Sequence, residues 1–199
     1  MREIVLATRN RHKIVELLAI LPQNTYHIKT MEDFADFPEV EEDGNTFQEN
    51  AEKKALEIAR FTGLAAIADD SGLVVEALDG APGVNSAYFA GPNATDEENN
   101  RKLLALMAEV PAEKRKAYFV CVIAVADHNG EVQCVEGRCH GMVAAEPSGS
   151  CGFGYDPLFI PEGESLSYAE MPENKKNAIS HRALALGQIA AVLNRIVGE

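Results

Sequence analysis

Residues 3–21 read EIVLATRNRHKIVELLAIL, and the way this stretch divides decides the class of fold. The run EIVLAT, residues 3 to 8, is short, apolar and followed by polar residues, the pattern of a buried strand. Beyond the polar turn, the apolar positions of residues 13 to 21 suit a helix packed on a sheet. Strand, loop and helix in that order open an α/β fold, and the following sequence continues the alternation. A short strand is expected near Tyr26 to Ile28, ahead of an irregular acidic segment, DFPEVEEDGN. Thr46 and Glu49 then stand in capping-box spacing, and Phe47, Ala51, Ala55, Ile58 and Ala59 fall on one helical face that stops near Gly63.

LAAIAD, residues 64 to 69, reads as a strand that ends at the paired carboxylates Asp69 and Asp70, with GLVVEAL as a second extended piece. Thr95 and Glu98 form another capping box, for a helix through Leu103, Leu104 and Met107 that stops before Pro111. AYFVCVIAVAD, the turn HNG and EVQCVEGRCHG predict a hairpin. A glycine-rich loop, PSGSCGFGYDP, precedes the short strand LFI. Leu186, Ile189, Ala190, Leu193 and Val197 mark the stripe of a terminal helix with Gly198 as its stop. The expectation is one α/β domain over residues 1–199, with a mixed sheet flanked by helices.

The composition of this 199-residue chain, 46% hydrophobic and 25% charged, is that of a folded protein. A formal net charge of −13 argues against nucleic acid or a membrane surface as partner. A small anionic ligand would need local cations or a metal, so clusters of Lys and Arg become informative. IVLA, residues 4 to 7, is too short for a signal-peptide core or a membrane span, so a cytoplasmic location is expected. Cys121, Cys134, Cys139 and Cys151 include no Cys-x-x-Cys pair; a zinc site with His140 fits no familiar spacing, and reduced thiols are expected.

Four constellations could carry chemistry. Thr8, Arg9, Asn10, Arg11, His12 and Lys13, on the loop entering the first helix, could cradle phosphate with backbone N–H groups and cations, or could be a solvated capping loop. Glu41, Glu42 and Asp43, with Asp69 and Asp70, offer the oxygen ligands that suit Mg²⁺, although acidic runs are also ordinary solvated surface. Gly152 to Asp156 combine glycines with Phe153 and Tyr155, flat enough for a base to stack on or simply a tight turn with two core aromatics. KKNAISHR, Lys175 to Arg182, reads as a basic loop at a helix start, whose charges run against the helix dipole and ask for an anionic partner.

ATRNRHK, ADDSGL, GAPGVNSAYFAG, GFGYDPLF and AISHRALAL, in this order and spacing, resemble the inosine triphosphate pyrophosphatases, hydrolases of non-canonical purine nucleoside triphosphates. The likeness spans essentially the whole chain. It implies an elongated α/β fold with a central mixed sheet, two lobes around a substrate cleft, a homodimer and a requirement for Mg²⁺. It also implies conversion of inosine, deoxyinosine and xanthosine triphosphates (ITP, dITP, XTP) to monophosphate and pyrophosphate. By the same resemblance Thr8 to Lys13 match the phosphate loop, Asp70 the general base and metal ligand, Ser71 a substrate contact and Glu42 a metal ligand. Phe153, Gly154, Tyr155, Asp156, Lys176, His181 and Arg182 match nucleotide-binding positions, with Arg182 expected to read the 6-oxo group of the base. Arg9 and His12 depart from the family pattern by replacing glycines with bulk and charge.

Because strand neighbours point to opposite faces, Asp69 and Asp70 should not share an environment. Asp70 is expected to face Glu42 and Lys13, leaving Asp69 to support it or to bind a second metal ion. Two rival readings are a Maf-like pyrophosphatase of pyrimidine or modified nucleotides and a nucleotide sensor without turnover.

Overall fold

The computed structural model describes residues 2–21 and 25–198. In chain order the elements are β1 (Arg2–Leu6), α1 (Arg11–Ile20), β2 (Tyr26–Lys29), α2 (Phe47–Thr62), β3 (Ala65–Val75), α3 (Asp96–Leu106), β4 (Lys116–Ala126), β5 (Val132–Val143), β6 (Phe159–Pro161), α4 (Glu173–Ile179), α5 (His181–Leu186) and α6 (Ile189–Ile196). Among the described residues the strands form one six-stranded sheet in the order β2-β1-β3-β4-β5-β6. It is mixed as expected: β1 pairs in parallel with β2 and β3, while β5 and β6 run antiparallel. Residue contacts divide the chain into two compact units. The first comprises Met1–Asp70, Cys121–Gly137 and Arg182–Glu199, and the second Ser71–Val120 and Arg138–His181.

Each unit has its own apolar core. In the first, Ile4, Leu6, Leu17, Ile67, Ile123, Val125 and Leu193 pack together without exposure. In the second, Leu73, Leu103, Met107, Phe119, Phe159 and Tyr168 do the same work.

Local chemistry explains most boundaries. Helix α1 starts at Arg11, two residues ahead of the expected start, because the Asn10 side chain caps it by accepting from the N–H groups of His12 (3.0 Å) and Lys13 (3.3 Å). Thr46 caps α2 through the Glu49 N–H, but Glu49 returns its carboxylate to the N–H of Asn45, so the box closes one residue early. The capping box at Thr95 and Glu98 is complete.

Three expectations change. First, β3 does not stop at Asp69 and Asp70; it runs unbroken from Ala65 to Val75, and Glu76–Leu78 turns into a 3₁₀ helix rather than extending it. A strand between two neighbours has its backbone satisfied on both sides, so polar side chains do not end it when they find partners of their own. Second, the basic stretch 175–182 is not a loop: α4 takes Glu173–Ile179, and α5 begins after Ser180. Third, the buried stripe of α6 is Ile189, Val192, Leu193 and Ile196, while Ala190 faces solvent.

One close approach gives a stability prediction. Gly141 on β5 lies opposite Pro161 on β6, and a methyl group there would sit 2.3 Å from the Ile160 carbonyl oxygen and 2.7 Å from the Phe159 ring. Gly141→Ala should therefore lower unfolding free energy by about 1–3 kcal/mol, read from urea denaturation midpoints, because the obstruction is backbone that cannot rotate away. An unchanged midpoint would contradict this packing.

Candidate active site

The alternation of β3 separates its two carboxylates. Asp69, with no side-chain exposure, meets Lys13 Nζ at 3.1 Å and Arg182 Nη2 at 3.1 Å. The other end of the Arg182 guanidinium donates to Glu16. Burial pushes the Asp69 carboxyl toward neutrality, but Lys13 and then Arg182 overcome it and hold the group well below the usual carboxylate range. The same balance runs in reverse for Lys13 and Arg182, where burial opposes the cation and Asp69 outweighs it, so both stay charged. Cys121 Sγ lies 4.0 Å from Asp69 Oδ2, and burial foremost pushes its thiol up to about 12, which keeps it protonated.

Asp70 lies in a different environment. Its Oδ2 accepts from Asn50 Nδ2 at 3.0 Å, and its Oδ1 is 3.9 Å from Lys54 Nζ. That ammonium also sits 3.1 Å from Glu42 Oε1 and donates to the Asp69 carbonyl at 2.6 Å. Asn50 and Lys54 are one helical turn apart on α2, so a single face presents both. The Asn50 amide works at both ends, since its Oδ1 also accepts the Gly44 N–H at 2.8 Å and ties the acidic loop to the helix. Burial raises the Asp70 carboxyl to about 6, with Glu42 adding to the rise and Lys54, Lys13 and the Asn50 bond pulling it back. A carboxyl with a value near neutral is suited to accept a proton from water.

Several expected placements are corrected here. Asp70 faces Glu42 across Lys54, but Lys13 pairs with Asp69. Arg182 is 1% exposed and bonded to Asp69 and Glu16, so the anionic partner its position asks for is the chain's own carboxylates. Asp69 has its Oδ2 committed to two cations, which removes the need for a metal at that oxygen. Of the three adjacent acids, Glu42 reaches Lys54, whereas Asp43 takes Lys53 at 2.6 Å on the surface. Asn50, Lys54 and Glu16 were not expected. Asn50 and Lys54 had a signal: polar residues at i and i+4 inside the apolar stripe of Ala51, Ala55 and Ile58.

Of the loop Thr8 to Lys13, only Lys13 turns inward. Thr8 Oγ1 accepts the Asn10 N–H at 3.2 Å, Asn10 caps α1, Arg9 donates to the Phe37 carbonyl, and Arg11 lies 3.7 Å from Glu32. His12 is exposed.

In the second unit, Asp156 Oδ2 accepts from the Phe153 N–H at 2.9 Å and from Lys176 Nζ at 2.6 Å. The same ammonium lies 5.1 Å from the Phe153 ring centre and 5.5 Å from that of Tyr168. Phe153 and Gly154 are partly exposed, but Tyr155 is buried and donates its hydroxyl to the Ser86 carbonyl at 2.8 Å. Tyr155 is thus a core aromatic rather than a stacking surface. His181 is also buried, stacked on Phe119 at 4.7 Å with planes 11° apart. Ser71 follows Asp70 on β3 and is partly exposed.

A metal finds a limited donor set. Among the described residues no three His, Cys, Asp or Glu side chains group as metal ligands, and the cysteines are unpaired thiols. Glu42 and Asp70 nevertheless converge on one cation, the Lys54 ammonium. Mg²⁺ bound by one or two carboxylates, with water and phosphate oxygens completing its shell, fits such a pair.

The Asp69 cluster predicts a stability loss. Asp69→Ala leaves Lys13 and Arg182 buried without their shared carboxylate and should cost about 3–5 kcal/mol of unfolding free energy at neutral pH. The folded-state value of Asp69 lies below the unfolded one, so its contribution is present above about pH 4 and fades as acid protonates the folded carboxylate. Denaturant titrations of both forms from pH 7 downward should converge in acid; a constant gap would contradict the assignment.

Comparison with known proteins agrees over nearly the full length. The Ham1 family pattern matches residues 4–192. The "dITP/XTP pyrophosphatase" of Geobacter sulfurreducens is 52% identical over 186 residues, covering 94% of each chain. That of Desulforamulus reducens is 50% identical over 194 residues, 98% of this chain and 96% of its own. The solved HAM1 protein from Coxiella burnetii superposes with a TM-score of 0.89 at 43% identity, covering 98% of this chain and all of the other. With two relatives at half identity and a family pattern running from the first strand into the last helix, the chain belongs to the Ham1 family.

Proposed function

We propose that the chain, as one catalytic domain, hydrolyses non-canonical purine nucleoside triphosphates, ITP, dITP and XTP, to the monophosphate and pyrophosphate. The names of its relatives point to this substrate class, and one observation carries the chemistry: a buried carboxyl, Asp70, raised to about 6 and oriented by Asn50 beside Lys54 and Glu42. A house-cleaning role in the nucleotide pool, in the cytoplasm, and assembly as a homodimer complete the proposal. No helix among the described residues is long and apolar enough to cross a membrane.

In this reading the groups around Asp70 handle phosphate. Asp70 holds a water through hydrogen bonding and takes its proton as the oxygen attacks the α-phosphorus in line. The bond from the α-phosphorus to the bridging oxygen breaks, and pyrophosphate leaves with the electron pair. Lys13 and Lys54 offset the charge that accumulates on the phosphate oxygens. Glu42 and Asp70 are the residues that would hold Mg²⁺, which when bound supplies further neutralisation of the triphosphate and of the leaving group. Thr8 to His12 line the same loop with hydroxyl, amide and cationic groups, and Ser71, partly exposed on β3, offers a hydroxyl to the substrate.

The glycine loop around Phe153 handles the base. Phe153 offers a ring face, while Lys176 is the donor for a 6-oxo group; adenine, with an amino donor there, would leave it unpaired. Tyr155 and His181 hold that loop and its flank from within the core. Arg182, already bonded to Asp69 and Glu16, acts by fixing Asp69 and through it Lys13.

Incubation with ITP and Mg²⁺ should release pyrophosphate and inosine monophosphate, with release abolished by a chelator. Orthophosphate would indicate another hydrolase, a preference for uridine or thymidine triphosphate would favour the Maf-like alternative, and tight binding without release would favour a sensor. Asp70→Asn should lower kcat about 10²–10⁴-fold while nucleotide still binds.

The pH dependence follows from the same group. In the free protein kcat/KM should rise through an apparent value near 6 as Asp70 loses its proton. Stability moves the other way: the folded-state value exceeds the unfolded one, so the folded form binds the extra proton between about pH 4 and 6 and loses stability as pH rises through that window. Asp70→Asn should therefore melt higher than the unaltered protein at pH 7.5, by roughly 1–3 kcal/mol in unfolding free energy, with the difference shrinking by pH 4. A variant less stable at pH 7.5 would contradict the burial of an ionised Asp70.

A further inference from the structure

Helix α3 carries no residue of the site described above, yet it grips the loop that the proposed function assigns to the base. Gly154 is held from both sides of its backbone. Its N–H donates to Asp96 Oδ2 at 2.6 Å, and its carbonyl accepts from Asn100 Nδ2 at 2.9 Å. Asp96 and Asn100 are four residues apart, on one face of the first turns of α3. The contact is not an incidental one between two surfaces. Both hydrogen-bonding groups of a single glycine are taken by one rigid helix, 54 and 58 residues away in sequence.

Gly154 is the residue where such a grip matters. It has φ +60°, and a Cβ there would meet nothing within 4 Å, so packing leaves the position open. The preceding Gly152 is also left-handed, at φ +77°. Two glycines in three residues give the segment much backbone freedom to lose when a base binds. Asp156 fixes one end by accepting the Phe153 N–H. The next peptide has its Phe153 carbonyl bonded to the Asp156 N–H at 3.2 Å, and α3 supplies the partners for both polar groups of Gly154. With α3, the successive N–H groups of Phe153 and Gly154 are each held by a carboxylate, on either side of the ring over which Lys176 lies.

The same helix pins a second motif. Asn99 accepts from the Ala90 N–H at 2.7 Å and donates to the Ala87 carbonyl at 3.1 Å, while Lys102 donates to the Phe89 carbonyl at 2.5 Å. Those residues belong to GAPGVNSAYFAG, and Ser86 within it accepts the Tyr155 hydroxyl. Leu103 and Met107 anchor α3 in the core of the unit. One helix thus sets the glycine loop directly at Gly154 and indirectly through Tyr155.

We propose that Asp96 and Asn100 are positioning residues for base recognition: by clamping the peptide groups of Gly154 they pre-organise the Gly152–Asp156 loop, and so set affinity for the purine rather than the rate of phosphate chemistry. This rests on the reading of the loop as the base site. Pre-organisation acts by lowering the ordering cost of binding, so its loss appears in KM and not in kcat.

The test compares Asp96→Ala, Asn100→Ala, the conservative Asp96→Asn, which keeps an acceptor oxygen, and Glu97→Gln, an acid of the same helical turn that pairs only with Arg101 among the interactions described. With ITP and Mg²⁺, each alanine variant should raise KM about tenfold with kcat within about twofold, and Asp96→Asn should recover most of the loss. Binding of inosine monophosphate should weaken in parallel, while inhibition by inorganic pyrophosphate, which has no base, should not change. Glu97→Gln, which shares any effect on the helix dipole, should leave KM alone. Amide exchange gives a readout independent of turnover: the Gly154 N–H should exchange faster in Asp96→Ala, and the Ala90 N–H, held by Asn99, should not. Failure of the unaltered protein to release pyrophosphate from any purine triphosphate would overturn the functional reading. Normal hydrolysis by alanine variants with unchanged KM, or pyrophosphate and inosine monophosphate weakened equally, would overturn the clamp alone.

Discussion

The structure depends on a period of two. Asp69 and Asp70 are adjacent in sequence and both buried, and only strand geometry keeps them in separate surroundings. On one face Asp69 is flanked by Lys13 and Arg182 and is held ionised; on the other, Asp70 meets an amide, one shared ammonium and a second carboxylate, and is raised toward neutral pH. Had the strand ended at Asp69, as the apolar run LAAIAD suggests, the two carboxylates would not have been divided in this way. The continuation of β3 to Val75 is therefore as much a requirement of the chemistry as of the sheet.

The groups that make this tolerable come from helices whose other duties are structural. Helix α1 presents Lys13 and Glu16 next to the core residue Leu17, α2 presents Asn50 and Lys54 within a face of alanines and Ile58, and α5 contributes Arg182 at its second position. Buried charges are stable only while each has its partner, since desolvation is offset by contact and not by solvent. Asp69 shows how tightly they are linked: it faces two cations with its carboxylate and receives a third, Lys54, on its backbone carbonyl. Packing of the first unit and preparation of its site are consequently one problem.

What could be read from the sequence is what is decided locally. The strand and helix of residues 3–21, the Thr95 capping box, the α2 stripe ending at Gly63 and the hairpin around residues 128–130 all follow from nearest-neighbour chemistry and periodicity. The mixed sheet follows from them in turn. Misread features depend on partners far along the chain. Arg182 reads as a cation for a bound anion or a base because nothing near it announces Glu16, 166 residues away, or Asp69, 113 residues away. The same holds for Lys13, whose choice between two adjacent aspartates is set by which face of β3 α1 packs on. Lys54 could have been found, since a lysine inside an apolar helical stripe asks for a buried anion.

The buried cluster also explains why Asp70, among its carboxylates, carries the raised value. Lys13, Lys54 and Arg182 supply three cations, while Asp69, Asp70, Glu16 and Glu42 supply four carboxylates. Asp69 meets two cations at 3.1 Å, and Glu16 accepts from the Arg182 guanidinium. Glu42 is partly exposed and lies nearer the Lys54 ammonium, 3.1 Å against 3.9 Å for Asp70. Asp70 is buried with the Lys54 ammonium farther off, and burial is the first cause of its raised value.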